Sequence, residues 1–368
     1  MRVRLVAALA AAALPLLGSP ATAAIGAAPV GGPMLGTHGV IVQTLRGAPA
    51  LPKGLSASSW LVADADTGEV LAARAPHVRH LPASTLKVLT AITLLPRLDP
   101  AQMVQASWDD AATDGSKVGL VPGMKYSVDT LFASMLVVSA NDAAGALAEA
   151  AGGIRPTVAL MNATARRLQA YDTHARTPSG LDAGGETTSA YDLALLGRAG
   201  LAMPAFRHYV GIVSSHVPAP HHKRYQIYTH DQLLTSYRGM IGGKNGYTVA
   251  ADGTFVGAAH RHGHTILISL MHAPPDFWPQ AKSLLDWGFA ADGGVVPVGQ
   301  LVDPVTQSQQ TSDGTGSSRT TVVLSAHHPA GSLPRGPLIA LAASAGLAVA
   351  ATGRRLRRRA HRLSLPPL

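Results

Sequence analysis

Ser84-Thr85-Leu86-Lys87 sets a hydroxyl and an amine three residues apart, the spacing at which a helix brings two side chains onto one face. A serine hydroxyl is a weak nucleophile until a neighbouring base takes its proton, and a lysine is that base only while neutral. Of the seven lysines, only Lys87 has a serine at this offset. Two further polar clusters follow in chain order: Ser139-Ala140-Asn141, then Lys244-Asn245-Gly246-Tyr247 within a glycine-rich stretch that opens with Gly242-Gly243. Burial and a second cation both depress a lysine pKa, so Lys244 facing Lys87 would help keep the base neutral. The chemistry within reach of such a set is acyl transfer through a serine ester.

The surrounding pattern says how these groups are held. Residues 83–95 are apolar on nearly every side, through Leu86, Val88, Leu89, Ile92, Leu94 and Leu95, which predicts a helix buried in the interior. Ser84 then falls in its first turn, where free backbone N–H groups and the helix dipole favour negative charge. Short apolar runs at 59–63 and 70–74 around Asp66-Thr67-Gly68 predict a hairpin. Residues 128–138 and 142–151 read as two helices, the second ended by Gly152-Gly153, with Ser139 and Asn141 in the bend between them. Residues 246–249, 254–260 and 265–271 read as successive antiparallel strands, and 277–289 as a closing helix. The expected fold class is α/β of the α+β type: an antiparallel sheet flanked by helices, beside an all-helical subdomain.

Taken singly, each cluster has a plainer role. Ser84 suits a helix N-cap, Ser139 and Asn141 suit loop and cap positions, and the glycines suit a turn. Their ordered joint occurrence points elsewhere. The three elements match the S-x-x-K, S-D-N and K-T-G set of penicillin-binding proteins and class A β-lactamases, with two substitutions. The flanks Val121-Pro122-Gly123-Met124-Lys125-Tyr126-Ser127-Val128, Thr177-Pro178-Ser179-Gly180-Leu181-Asp182, Thr188-Ser189-Ala190-Tyr191-Asp192-Leu193 and Leu233-Leu234 extend the match. Over roughly residues 50–290 the chain resembles the D-alanyl-D-alanine carboxypeptidase family, the S11 serine peptidases or low-molecular-mass penicillin-binding proteins.

The resemblance implies a serine β-lactamase/transpeptidase-like fold and gives each residue a role. Ser84 would be the nucleophile and Lys87 its base, while Ser139 would relay a proton to the leaving group. Asn141 would bind the substrate's peptide backbone and Lys244 would attract its terminal carboxylate. Gly246 and Tyr247 continue the substrate-binding strand, and the backbone N–H groups of Ser84 and Tyr247 would form the oxyanion hole. One departure concerns position 245, where the family usually carries a hydroxyl that helps hold the carboxylate. Asn245 can donate the same hydrogen bond from a longer side chain. The implied partners are peptidoglycan stem peptides as substrate and β-lactams as covalent inhibitors, with no cofactor.

The ends of the chain carry their own signals. Residues 1–24 open with Arg2 and Arg4, continue through an apolar run and reach Ala21-Thr22-Ala23, the pattern of a cleaved secretory signal. Residues 337–353 are uncharged and mostly apolar, a short candidate transmembrane helix, followed at once by six arginines in the tail 354–368. The arginines place that tail in the cytoplasm and the enzyme on the outer face of the membrane. Residues 303–334, rich in Ser, Thr, Gln and Gly, read as a flexible tether between the domain 51–292 and this anchor. The two ends hold eight of the 30 basic residues, so the remaining 22 stand against 21 acidic groups and the pI near 10.0 is a topology signal. It does not argue for nucleic acid, which needs Lys and Arg clustered on a folded face.

Other chemistries are disfavoured. No cysteine is present, which removes disulfides, thiolate metal sites and a cysteine nucleophile. Sixteen histidines include His260, His262 and His264 and the pairs His221-His222 and His327-His328, none with a metallopeptidase's helical spacing, so no metal site is expected. The expected activity is a membrane-tethered serine-type D-Ala-D-Ala carboxypeptidase that removes the terminal D-Ala through a Ser84 acyl-enzyme. The alternatives are a β-lactamase, which in class A needs a deacylating glutamate in a context Glu186 lacks, and a catalytically weak peptidoglycan-binding protein.

Overall fold

Alternate side chains of Ser59–Asp64 enter two different cores, Leu61 and Ala63 packing in one apolar cluster and Trp60 and Val62 in another. Such a period of two with both faces buried is the mark of a central strand covered on both sides. The computed structural model describes residues 28–305 except residue 292, and places this segment inside an eight-stranded sheet.

The strands are β1 (Val40–Thr44), β2 (Ser59–Asp64), β3 (Glu69–Arg74), β4 (Met103–Gln105), β5 (Lys125–Ser127), β6 (Ser214–Pro218), β7 (Arg224–Tyr228), β8 (Met240–Thr248), β9 (Asp252–Arg261), β10 (His264–Ala273), β11 (Val295–Val296) and β12 (Gly299–Gln300). The main sheet runs β11-β1-β3-β2-β10-β9-β8, with β12 added to β3, and its pairs are antiparallel. Strands β4 and β5 form one small ribbon, β6 and β7 another. The helices are α1 (Lys87–Leu94), α2 (Trp108–Ala112), α3 (Val128–Val137), α4 (Asn141–Ala150), α5 (Ile154–Arg167), α6 (Ala190–Leu201), α7 (Pro204–Val210), α8 (Gln232–Ser236) and α9 (Trp278–Ala291). Helix α9 covers one face of the sheet, α6 the other, and α2 to α5 build a helical region around α1. The expected mixed architecture is the one observed.

Side-chain caps fix several helix starts. The hydroxyls of Ser127 and Ser189 accept from the N–H groups of Thr130 and Asp192, opening α3 and α6, and Ser107 with Asp110 forms a reciprocal box on α2.

The structure corrects two boundaries near the site. The helix expected over 83–95 is a 3-10 turn, Ala83–Leu86, followed by α1. Ala83 has φ +45°, and the hydroxyls of Thr85 and Thr254 both donate to the Pro82 carbonyl, at 2.5 and 2.9 Å, which tightens the turn. The strand expected from residue 246 begins at Met240, so the third motif lies within β8. Gly242 and Gly243 are close-approach positions there: a Cβ would meet the Val210 carbonyl oxygen at 2.3 Å or that of Val256 at 2.6 Å.

The folded body also includes β1, β11 and β12, beyond the span 51–292. The start of the 303–334 segment is docked on it: Gln169 Nε2 donates to the Asp303 carbonyl and Val305 N to that of Arg167, each at 2.9 Å, and Arg198 pairs with Asp303. The remainder of that segment, residues 1–24, 337–353 and 354–368 lie outside the described residues. Among the described residues no helix is long and apolar enough to cross a membrane.

Candidate active site

Lys87 is the centre of the site. Its side chain is fully buried, and Nζ lies 2.9 Å from Ser84 Oγ, 2.6 Å from Asn141 Oδ1 and 2.6 Å from the Ser179 carbonyl oxygen. Burial first, and the charge of Lys244 second, hold its pKa well below the ordinary lysine value. A neutral amine has two N–H donors and one lone pair. The Ser179 carbonyl can only accept. Asn141 presents its oxygen because its Nδ2 donates to the Asp114 carbonyl at 2.7 Å, fixing the amide's orientation. With both donors committed to those acceptors, the lone pair is left for the hydroxyl proton of Ser84.

Each partner is held by its own scaffold. Ser84, partly exposed on the 3-10 turn, sits where the chain bends into α1. Gly180 packs so tightly under that turn, with φ +78°, that a Cβ would stand 1.9 Å from the Ala83 carbonyl oxygen. The 176–180 segment that presents Ser179 is pinned by Glu186, whose Oε2 accepts from the N–H groups of Arg176 and Thr177 at 2.8 Å each. Burial raises the Glu186 pKa, and those two N–H groups oppose the rise. Asp142 performs the same service opposite, its carboxylate accepting from Val118, Gly119, Leu120 and Ala143 N–H groups.

The second motif straddles the α3–α4 bend as expected. Ser139 has φ +60° and is nearly buried, and Asn141 is the first residue of α4. The Asn141 side chain, expected to face substrate, here bonds Lys87 and Asp114 and retains one amide hydrogen beyond those contacts.

The third motif passes close to the first. A Cβ on Gly246 would come within 2.6 Å of Ser84 N and 2.9 Å of Ala83 Cβ, so glycine is what lets edge strand β8 lie against the nucleophile turn. Tyr247 follows, half exposed. Lys244 is fully buried, donates to the Asn245 carbonyl at 2.6 Å, and has its pKa pushed down to about 7 by burial, with Asp231 opposing. The Asn245 side chain is partly exposed on the same strand.

The three motifs thus meet around Lys87, but Ser179, Glu186, Asp114, Asp142 and Asp231 were not assigned roles from sequence. Ser179 acts through a backbone oxygen, which leaves no residue-type signal. A buried acid next to a glycine- or serine-rich turn, as with Glu186 and Asp142, is the one clue the sequence offered. A cavity of about 560 Å³ is walled by Leu195, Arg198, Ile241 and Val302 and contains no motif residue. His77, Asp172 and Asp192 bring three potential ligand atoms together, yet both His77 nitrogens are engaged, by Asp172 and the Val30 carbonyl, and Arg79 also binds Asp172. That cluster is an ion-pair network.

A serine with an adjacent buried lysine, bounded by a bend and a sheet-edge strand, defines a serine acyltransferase or hydrolase site of the penicillin-binding fold. Residues 46–274 match the D-alanyl-D-alanine carboxypeptidase family, peptidase S11, and the chain belongs to that family. It is 44% identical over 251 residues to the D-alanyl-D-alanine carboxypeptidase DacB2 of Mycobacterium tuberculosis, covering 66% of this chain and 86% of the relative. DacF of Bacillus subtilis, also named a D-alanyl-D-alanine carboxypeptidase, is 27% identical, over 64% of this chain and 62% of its own length. A crystal structure of a D-alanyl-D-alanine carboxypeptidase from Mycobacterium tuberculosis superimposes with a TM-score of 0.67 at 43% identity, covering 71% of this chain and 100% of that one. A mutant DD-transpeptidase of Streptomyces shares the fold, with a TM-score of 0.62 over 66% of this chain and 99% of that one, at 24% identity.

Proposed function

We propose that this protein is a serine-type D-Ala-D-Ala carboxypeptidase of peptidoglycan stem peptides, with Ser84 as nucleophile and Lys87 as its base. The observation that carries the reading is the set of contacts at the buried Lys87 Nζ, two acceptor oxygens at 2.6 Å and the Ser84 hydroxyl at 2.9 Å. Lys87 takes the Ser84 proton as Oγ adds to the penultimate D-Ala carbonyl. The Ser84 and Tyr247 N–H groups receive the oxyanion, and Ser139 gives its hydroxyl proton to the departing amine while taking the one held by Lys87, so that free D-Ala leaves, an ester remains on Ser84 and Lys87 is neutral again. Water, deprotonated by the same lysine, then hydrolyses the ester. Lys244 and Asn245 read the terminal carboxylate, while the spare Asn141 amide hydrogen and the β8 edge receive the peptide backbone. A β-lactam carbonyl enters the same path and leaves a long-lived ester.

The Glu186 carboxylate is occupied by backbone N–H groups, which favours this reading over a class A β-lactamase. The extracytoplasmic location and the C-terminal anchor at 337–353 rest on the apolar run and the flanking arginines.

Incubation of the purified domain with a fluorescent penicillin and, separately, with a D-Ala-D-Ala pentapeptide tests the proposal. Covalent labelling and D-Ala release are expected from wild type and neither from Ser84→Ala. Rapid penicillin hydrolysis without D-Ala release would indicate a β-lactamase. Labelling without turnover of either compound would indicate a binding protein.

A further inference from the structure

Lys244 and Asp231 are two buried, oppositely charged groups that the three motifs do not explain together. Lys244 is fully buried, and its one hydrogen bond within the described residues goes to a neighbouring carbonyl. An ammonium so placed needs a compensating charge. Asp231 is almost as deeply buried, just ahead of α8, which packs against β8. Its Oδ1 accepts from Leu233 N at 2.9 Å and caps the helix, while its Oδ2 is buried without a hydrogen-bond partner, the backbone N–H groups of Leu234 and of Gly243 on β8 lying close enough to favour its charge. The backbone around it is anchored, with Asp231 N donating to Thr229 Oγ1 and His230 N to the Val137 carbonyl. A cap needs one oxygen and no charge, since asparagine caps as well as aspartate. The second oxygen and its charge therefore call for another reason.

We propose that Asp231 is the built-in counter-charge of Lys244, and so a positioning residue for the substrate's terminal carboxylate. This rests on the carboxypeptidase reading above for the identity of the substrate group. The charged groups interacting with Lys244 are Lys87 on α1 and His230 and Asp231 ahead of α8. Of these, Asp231 is the one anion. It opposes the burial that drives Lys244 toward neutrality and keeps an ammonium available near neutral pH. An arriving carboxylate then shares that ammonium with Asp231. The excess negative charge is relieved when Asp231 takes a proton, which burial, its largest influence, already favours by raising its pKa to about 6.

The experiment compares wild type, Asp231→Asn and Asp231→Ala. Side-chain NMR titration of Lys244 reads the counter-charge directly and independently of turnover. Asp231→Asn should keep the cap, and so the wild-type Tm to within a few degrees, yet lower the Lys244 titration midpoint by about one pH unit. For a D-Ala-D-Ala peptide at pH 7, its KM should then rise by about fivefold, because a midpoint falling from about 7 to about 6 cuts the charged fraction at that pH from about one half to about one eleventh. Its kcat should stay within about twofold, and the KM gap should close as the pH is lowered. A peptide with an amidated C-terminus should show no such gap. An unchanged Lys244 midpoint in folded Asp231→Asn, with loss confined to Asp231→Ala, overturns the proposal and leaves Asp231 a helix cap. Absence of turnover by wild type, with the midpoint still shifting between variants, sinks the carboxypeptidase reading and leaves the counter-charge standing.

Discussion

Lys87 Nζ lies 2.6 Å from Asn141 Oδ1, so the first and second motifs meet inside the protein at a single hydrogen bond. Asn141 therefore bears on the protonation state of the base. Replacing it by aspartate puts a carboxylate beside Lys87 and favours the ammonium. Asn141→Asp should shift the acidic limb of penicillin acylation to higher pH, with low labelling at pH 7 that recovers as the pH rises. Asn141→Ala leaves a buried N–H without its acceptor and should destabilise the fold by about 1–3 kcal/mol. Acylation rate against pH distinguishes the two. Superimposable wild-type and aspartate profiles would remove Asn141 from the control of Lys87.

The motif residues were legible because each is a side chain of distinctive type at a fixed spacing, and the β9–β10–α9 closure was legible from its apolar periodicity. What escaped was geometry carried by the backbone. The 3-10 turn at Ser84 depends on a carbonyl shared by Thr85 and Thr254 and on the close passage of Gly180, none of which has a local pattern. Strand β8 was read too short because Gly242 and Gly243 look like a turn, whereas they are glycines for want of space beside Val210 and Val256. Strands β11 and β12 have two residues each, too brief for periodicity to mark them, and β1 buries only Ile41, so it shows no alternation.

Gly180 offers a test of that hidden geometry. An alanine there must adopt φ +78° and place a Cβ 1.9 Å from the Ala83 carbonyl oxygen, so the turn holding Ser84 has to move. Gly180→Ala should lower stability by more than about 1 kcal/mol. Acylation should fall further than the Tm loss explains, measured at a temperature where the variant remains folded. A variant that unfolds earlier but acylates at the wild-type rate would show that the turn tolerates the shift.

Asp192 gives a pH-dependent prediction for the fold. It is nearly fully buried, accepts from Thr173 Oγ1 at 2.8 Å, and burial with the nearby Asp172 raises its pKa to about 7. An unfolded aspartate titrates near 3.9. Between these values the folded state holds the extra proton, so this residue's contribution to stability falls as the pH rises from about 4 through 7. Asp192→Asn abolishes that loss, and its Tm relative to wild type should be higher at pH 8 than at pH 4. A difference independent of pH would show that Asp192 is ionised in the fold throughout.

The topology proposed for the chain ends predicts a release experiment. Truncation after Leu333 should shed active enzyme into the medium, and protease added outside intact cells should reach the 303–334 tether but spare the arginine tail. Equal protection of both segments would reverse the orientation.

The last prediction concerns Asn245, where a carboxamide stands in place of the family's usual hydroxyl. It lies on β8 next to Lys244, whose ammonium bonds its backbone carbonyl and leaves the side chain at the partly exposed face. If that amide donates to the substrate carboxylate, Asn245→Ala removes a charge-assisted hydrogen bond worth about 1.5–3 kcal/mol, read as a loss of kcat/KM with D-Ala-D-Ala peptides. Asn245→Thr should retain much of the activity, since a hydroxyl supplies the same donor from a shorter side chain while β8 stays pinned by Gly246 against Ser84. A substrate whose terminal carboxylate is amidated should be poor for wild type and lose little more on Asn245→Ala, because the charged partner is already gone. Equal losses with acid and amide substrates would mean that Asn245 does not read the carboxylate, leaving that task to Lys244 and strengthening the case for a binding protein with weak turnover.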